Sequence, residues 1–139
     1  MSEKSLSLEQ AAYLAARANY EAVNAAYEEG EAAFLREAGA RAASGEVPAK
    51  LYMIDDLEQF ERLSAAFERS PRYLADELTA AAALLQSAEE ALIQYAIDIC
   101  PASIRDTIRQ GATKSADVRK ELLSLILRLD PSTIRRPAI

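Results

Sequence analysis

The chain has 139 residues, half of them apolar but only 6% aromatic, and a formal net charge of −6. This length predicts one domain, residues 1–139, large enough to bury a core without disulfides or metals. The absence of histidine excludes serine–histidine and cysteine–histidine nucleophilic pairs, the commonest zinc sites and Glu-x-x-His di-iron motifs. The single cysteine excludes an internal disulfide and fits a reducing compartment.

The composition also bears on fold class and location. Alanine occurs 29 times against four glycines and five prolines, which favours close-packed helices over a sheet. Residues 1–10 are polar, without the apolar stretch of a secretory signal, and no apolar run reaches the about 18 residues of a membrane span. We therefore expect a cytoplasmic protein that makes no membrane contact.

The charge is divided unevenly along the chain. Residues 1–98 contain 18 acidic and 8 basic side chains, a formal charge of −10, whereas residues 99–139 contain 4 acidic and 8 basic side chains, a charge of +4. An acidic body with a basic end is typical of head-to-tail electrostatic pairing or of an end that faces a polyanion. A solvated acidic surface is the simplest interpretation.

A long first helix is predicted over residues 8–43, after a flexible tail at 1–6. Ser7 and Gln10 have the spacing of a capping box, and Ser44 with Gly45 offers a stop. Aromatic residues recur every seven positions, and a small residue (Ala16, Val23 or Gly30) lies three positions after each of the first three. This alternation predicts a face on which a neighbouring helix buries the rings. The aromatic positions are Tyr13, Tyr20, Tyr27 and Phe34.

Two further helices are predicted in the middle of the chain. The second covers residues 49–69, although Asp55 and Asp56 could cap a later start. The third covers residues 71–100, between Ser70–Pro71 and Pro101. Its apolar residues alternate at spacings of four and three, which places them on one face for about seven turns. They are Leu74, Leu78, Ala81, Leu85, Ala88, Leu92, Tyr95 and Ile99.

The basic end predicts two short helices, at residues 102–110 and 116–129, followed by a flexible tail at 132–139. Gly111 is expected to end the first of them, and Thr113 or Ser115 to cap the second. The stretch from Leu122 to Leu129 is apolar at six of eight positions, so more than one side of this helix needs covering. The fold class is therefore all-α: an elongated antiparallel helical bundle with three principal helices and two short C-terminal helices.

Signatures of chemistry are not found in the sequence. It contains no Gly-rich phosphate loop, HExxH motif or EF-hand, and its paired carboxylates fall on predicted polar faces. We expect no enzymatic activity, no catalytic residue, no cofactor and no metal.

The surplus of apolar helix surface predicts a non-enzymatic protein–protein interaction module, an oligomerising adaptor or inhibitor that acts through apolar helix faces. The expected partners are further copies in a dimer or larger homo-oligomer, another protein, or both. The candidate interface residues are Tyr13, Tyr20, Tyr27, Phe34, Leu122, Leu125, Ile126 and Leu129.

Two alternatives remain open at this point. One is a nucleic-acid-associated protein that uses the basic helices of residues 104–129. The other is an acidic mimic of nucleic acid that blocks a basic partner protein. Basic side chains available for contact with a polyanion are Arg105, Arg109, Lys114, Arg119 and Lys120.

Overall fold

The computed structural model describes residues 6–39 and 47–130. The fold is an all-α helical bundle, as predicted, with five α-helices and no strand among the described residues. No helix in these ranges is long and apolar enough to cross a membrane. The helices are α1 (Leu8–Glu37), α2 (Leu57–Glu68), α3 (Ala75–Ile99), α4 (Ala102–Lys114) and α5 (Ala116–Arg128), and a short 3-10 helix (Leu51–Met53) precedes α2.

The chain divides into two compact units. Among the described residues, the first is formed by residues 6–18 and 83–130, and the second by residues 19–39 and 47–82. Helices α1 and α3 each contribute residues to both units. The single domain expected from the length therefore stays a prediction.

In the first unit, the start of α1 is joined to the end of α5. Ser7 and Gln10 form the predicted capping box, in which Ser7 Oγ accepts from the Gln10 N–H and Gln10 Oε1 accepts from the Ser7 N–H. The buried Gln10 Nε2 also donates to the carbonyl oxygens of Ile126 and Leu129, each at 2.9 Å. These links place α1 against an apolar core. The core contains Tyr13, Leu92, Ile93, Ala96, Ile97, Ile108, Leu123 and Ile126.

The second unit is organised around four aromatic rings. Phe67 is almost fully buried, and its ring lies 5.3–5.8 Å from those of Tyr27, Phe34 and Tyr73. Between Tyr27 and Phe34 on α1, Gly30 lets the backbone of Arg72 approach, since a Cβ at position 30 would lie 3.0 Å from the Arg72 carbonyl oxygen. The predicted alternation of large and small residues is used here for close packing.

Two ionisable groups of the second unit have shifted pKa values. Burial raises the pKa of Tyr27 above its ordinary value, and the nearby Glu31 carboxylate adds to the shift. The pKa of Glu37 is lowered because its carboxylate accepts two hydrogen bonds from the Arg72 guanidinium. The Glu37–Arg72 pair is exposed, so we expect it to position the turn before α3 more than to stabilise the fold.

The two N-terminal helices differ from prediction in their bounds. Helix α1 ends at Glu37, six residues early, because Gly39 adopts a positive φ of 70° that the α-helix cannot continue. The stop expected at Ser44–Gly45 and nearly all of the tail at 1–6 lie outside the described residues. Helix α2 begins at Leu57 rather than at residue 49, because Asp56 caps it by accepting from the Gln59 N–H. The later start that Asp55 and Asp56 allowed is the one observed.

The C-terminal half also differs at its boundaries. Helix α3 begins at Ala75 instead of residue 71. It follows a turn in which the backbone N–H of Tyr73 donates to the Ser70 carbonyl oxygen, while the Tyr73 ring packs in the aromatic cluster. Gly111 does not end α4, which continues to Lys114, and the extended residue Ser115 separates α4 from α5 and caps α5. Gly111 instead faces Val118 and Leu122 of α5. The tail predicted at 132–139 lies outside the described residues.

Candidate functional site

The second unit exposes a group of large apolar side chains around the 3-10 helix. Tyr52, Met53 and Leu57 are 79%, 53% and 68% exposed. They lie within six residues of one another, in elements that are in contact. We call this group, together with its three exposed carboxylates, the acidic apolar surface. It consists of Tyr52, Met53, Leu57, Asp55, Asp56 and Glu58.

The geometry of a 3-10 helix explains this exposure. With three residues per turn, Leu51 and Ile54 point to the same side, and both pack against the buried pair Leu35 and Leu63. Tyr52 and Met53, which lie between the two inward residues, therefore face outward.

Two polar contacts from α1 hold the 3-10 helix in place. The Leu51 N–H donates to Oε2 of the buried Glu31 at 3.1 Å. Nζ of Lys50 pairs with Oε1 of Glu28, also at 3.1 Å. The exposed side chains thus stand on a segment that the rest of the second unit fixes.

The acidic apolar surface has a net negative local charge. Residues 51–62 contain four carboxylates and one cation, Arg62, which lines a pocket with Asp56 and Glu58. Asp56 is used as the cap of α2, which neutralises part of its charge through the helix dipole. Asp55, Glu58 and Glu61 are exposed. A binding partner at this surface meets apolar groups with negative charge beside them.

The first unit contains a groove of opposite character, which we call the basic-rimmed groove. Its volume is about 320 Å³, and apolar side chains form its floor. The Arg17 guanidinium lies 5.5 Å from the centre of the Tyr13 ring, a cation–π contact that holds the cation at the rim. The groove is lined by Tyr13, Arg17, Leu85, Arg119, Lys120 and Leu123, together with Glu89.

Not all cations of this groove are equally available. Arg119 donates to Glu89 at 3.2 Å and to the Ala112 carbonyl oxygen, so its charge is neutralised within the chain. Arg17 and Lys120 lie at the rim, where Lys120 is exposed. The groove therefore combines an apolar floor with two cations that no carboxylate of the groove neutralises.

The structure distributes the predicted interface residues among several roles. Tyr13 and Ile126 are buried in the first core, and the edge of Tyr13 that remains accessible lines the basic-rimmed groove. Tyr27 and Phe34 pack in the aromatic cluster. Of the remaining four, Leu125 is 53% exposed, and the others are half-buried: Tyr20, Leu122 and Leu129.

The five cations considered for polyanion contact differ in their surroundings. Arg105 donates to the Cys100 carbonyl oxygen, and Arg109 pairs with Asp106. Arg119 is held by Glu89. Lys114 and Lys120 are exposed, and of the five only Arg119 and Lys120 line the same groove.

Reasoning from the sequence missed the acidic apolar surface. It predicted one helix over residues 49–69 and identified no candidate interface residue in this segment. The available signal was the spacing of three between Leu51 and Ile54 directly before Asp55 and Asp56, which fits a 3-10 turn followed by a helix cap.

The described residues include no group of histidine, cysteine, aspartate or glutamate side chains that could hold a metal ion. Comparison with protein-family models, with curated proteins and with solved structures finds no match to this chain.

Proposed function

We propose that this chain is a non-enzymatic protein–protein interaction module, an adaptor or inhibitor that acts through apolar helix faces. The acidic apolar surface carries the proposal. Three large apolar side chains within six residues of one another are exposed, and contiguous exposed apolar patches mark interaction sites. Burying one such side chain fully yields about 1.5–3 kcal/mol, so a partner that covers Tyr52, Met53 and Leu57 gains several kcal/mol.

The rigidity of this surface supports a docking role. Leu51 and Ile54 anchor the segment in the core, the Leu51 N–H donates to Glu31 of α1, and the Lys50 side chain pairs with another carboxylate of the same helix. Because the segment is already held in place, binding does not have to order a flexible loop. Less of the contact free energy is then lost to conformational entropy.

The charge of the surface defines the class of partner. Carboxylates beside an apolar centre favour a protein surface with apolar side chains and a basic rim. Opposite charges also speed the encounter and disfavour acidic proteins. The proposed partner is therefore a protein whose docking face is basic and apolar.

A nucleic-acid role has less support from the geometry. Three of the five candidate cations are engaged by groups of the chain itself: Arg105, Arg109 and Arg119. Nucleic-acid affinity depends on cations that are free to neutralise phosphates, and an apolar, acidic surface does not provide them.

Site-specific photo-crosslinking tests the proposal. The full-length chain carries benzoylphenylalanine in place of Tyr52 and is irradiated in an extract of the cells that produce it. A matched chain carries the same probe in place of Thr79, an exposed polar residue of α3 in the same unit. We expect discrete protein adducts from position 52 that are weak or missing from position 79.

An adduct with another protein and an adduct with a further copy of the chain both support the interaction module. Equal adduct patterns from the two positions, or no adduct from position 52, would contradict it. Adducts of nucleic acid in place of protein would favour the alternative function.

A further inference from the structure

The basic-rimmed groove carries the positive charge that the acidic apolar surface lacks. Its floor is apolar, with Leu85 and the buried Leu123, and Arg17 and Lys120 line its rim. Its single carboxylate, Glu89, is paired with Arg119. A group that enters this groove meets apolar side chains and two cations that are not paired with the carboxylate of the groove.

We propose that the basic-rimmed groove binds the acidic apolar surface of a second copy of this chain. The inference rests on the proposed function, because it takes the acidic apolar surface to be a docking surface and names its partner. Both halves of the contact are then encoded in one sequence, and the chain associates with itself through two different surfaces.

Charge complementarity is the first argument for this pairing. Residues 51–58 contain three carboxylates and no cation, whereas the groove carries two cations in excess of its paired Arg119 and Glu89. Charges of opposite sign around a desolvated centre select this orientation over a contact between two acidic surfaces, which like-charge repulsion disfavours.

Shape and polarity provide the second argument. Tyr52 and Met53 project from the 3-10 helix, and the groove is concave with an apolar floor. Its volume of about 320 Å³ is at the lower end of the about 300–1,000 Å³ typical of ligand sites. It therefore suits one or two large side chains, such as Tyr52 with Met53, better than a whole helix.

The contact is heterologous, since a surface meets a different surface. Each copy offers one acidic apolar surface and one basic-rimmed groove, so copies pair reciprocally or continue into longer assemblies. The charged rims predict that association weakens as salt is added.

Crosslinking within purified protein tests this inference. The chain with benzoylphenylalanine in place of Tyr52 is mixed with an isotope-labelled wild-type chain, irradiated and digested. We expect adducts between chains of different isotopic mass. The attachment points are expected in the peptides that contain Tyr13–Arg17, Leu85–Glu89 or 116–123.

Matched variants extend the test to the charges. Lys120→Glu reverses an exposed charge at the groove rim, and Lys114→Glu reverses an exposed charge outside the groove. In sedimentation velocity, we expect Lys120→Glu to weaken self-association by at least about tenfold and Lys114→Glu to leave it within about twofold. Tyr52→Ser should weaken it as much as Lys120→Glu, whereas Leu84→Ser, at another exposed apolar residue, should not.

Each alternative result is decisive. A chain that sediments as a monomer at all concentrations, or adducts between copies that map outside the groove, would overturn the self-pairing. If purified protein forms no adduct but position 52 captures a different protein in the extract, the self-pairing fails while the proposed function stands. If position 52 forms no adduct in either sample, both fail.

Discussion

Gln10 is the polar residue on which we expect the first unit to depend most. Its side chain is fully buried, its Nε2 donates to the carbonyl oxygens of Ile126 and Leu129, and its Oε1 accepts from the Ser7 N–H. One amide therefore joins the start of α1 to the end of α5, more than 110 positions further along the chain. We expect Gln10→Leu, which keeps the size of the side chain but removes all three hydrogen bonds, to destabilise the protein strongly.

The structure gives the size of this effect. Each hydrogen bond contributes about 0.5–1.5 kcal/mol net, and a carbonyl left without its donor costs more. The Ile126 carbonyl keeps the N–H of Leu129 as a donor, so the larger loss falls on the Leu129 carbonyl. We expect the free energy of unfolding to fall by about 2–4 kcal/mol.

Urea unfolding followed by far-UV circular dichroism measures the loss, and hydrogen exchange of the last turn of α5 locates it. Two variants serve as controls. Ser7→Ala removes only the capping hydroxyl and should cost about 1 kcal/mol. Gln94→Leu removes an exposed amide that bonds Asp98 and should stay within about 0.5 kcal/mol of wild type. A loss for Gln10→Leu no larger than that for Ser7→Ala would refute the reasoning.

Three further predictions concern two glycines, in α4 and α1, and the ionisation of Tyr27. Gly111→Ala should raise the free energy of unfolding by about 0.5–1 kcal/mol, because its Cβ makes ordinary contacts and alanine is the better helix former. Gly30→Ala should lower the free energy of unfolding by about 1 kcal/mol, since the added Cβ meets the Arg72 carbonyl oxygen at 3.0 Å. Urea unfolding of both variants checks that the two changes have opposite signs. An equal gain in the free energy of unfolding for both variants would contradict the close approach at Gly30. Because folding raises the pKa of Tyr27, the contribution of this residue to the free energy of unfolding is complete at pH values below its unfolded pKa, near 10. This contribution is lost as the pH rises towards the folded pKa. Thermal unfolding temperatures should therefore fall more steeply above pH 10 for wild type than for Tyr27→Phe, and parallel curves would contradict this.

Local rules account for much of the fold. The capping box at Ser7 and Gln10, the start of α1 at Leu8, the Ser115 cap and the stop before Pro101 depend on neighbouring residues, so they can be read from sequence. The apolar spacing of α3 has the same origin, because the period of a helix fixes which residues share a face. The structure places all eight residues of this face in buried or half-buried positions.

Contacts between distant segments decided what local rules did not. Gly111 lies inside α4, next to Val118 and Leu122 of α5, although a glycine at this position is a common helix stop in sequence. Tyr13 is buried in a core to which α3, α4 and α5 contribute, and spacing along α1 does not reveal these partners.

The sequence by itself determined the helical class, most of the caps and the apolar face of α3, since each follows from residues within a few turns of one another. Only the tertiary structure decided which apolar side chains stay in water. Tyr52 has apolar neighbours in the sequence and Tyr27 is followed by two glutamates, yet Tyr27 packs against Phe67 and Tyr52 is exposed. Burial depends on what the rest of the chain places opposite a side chain, and that is a property of the whole fold.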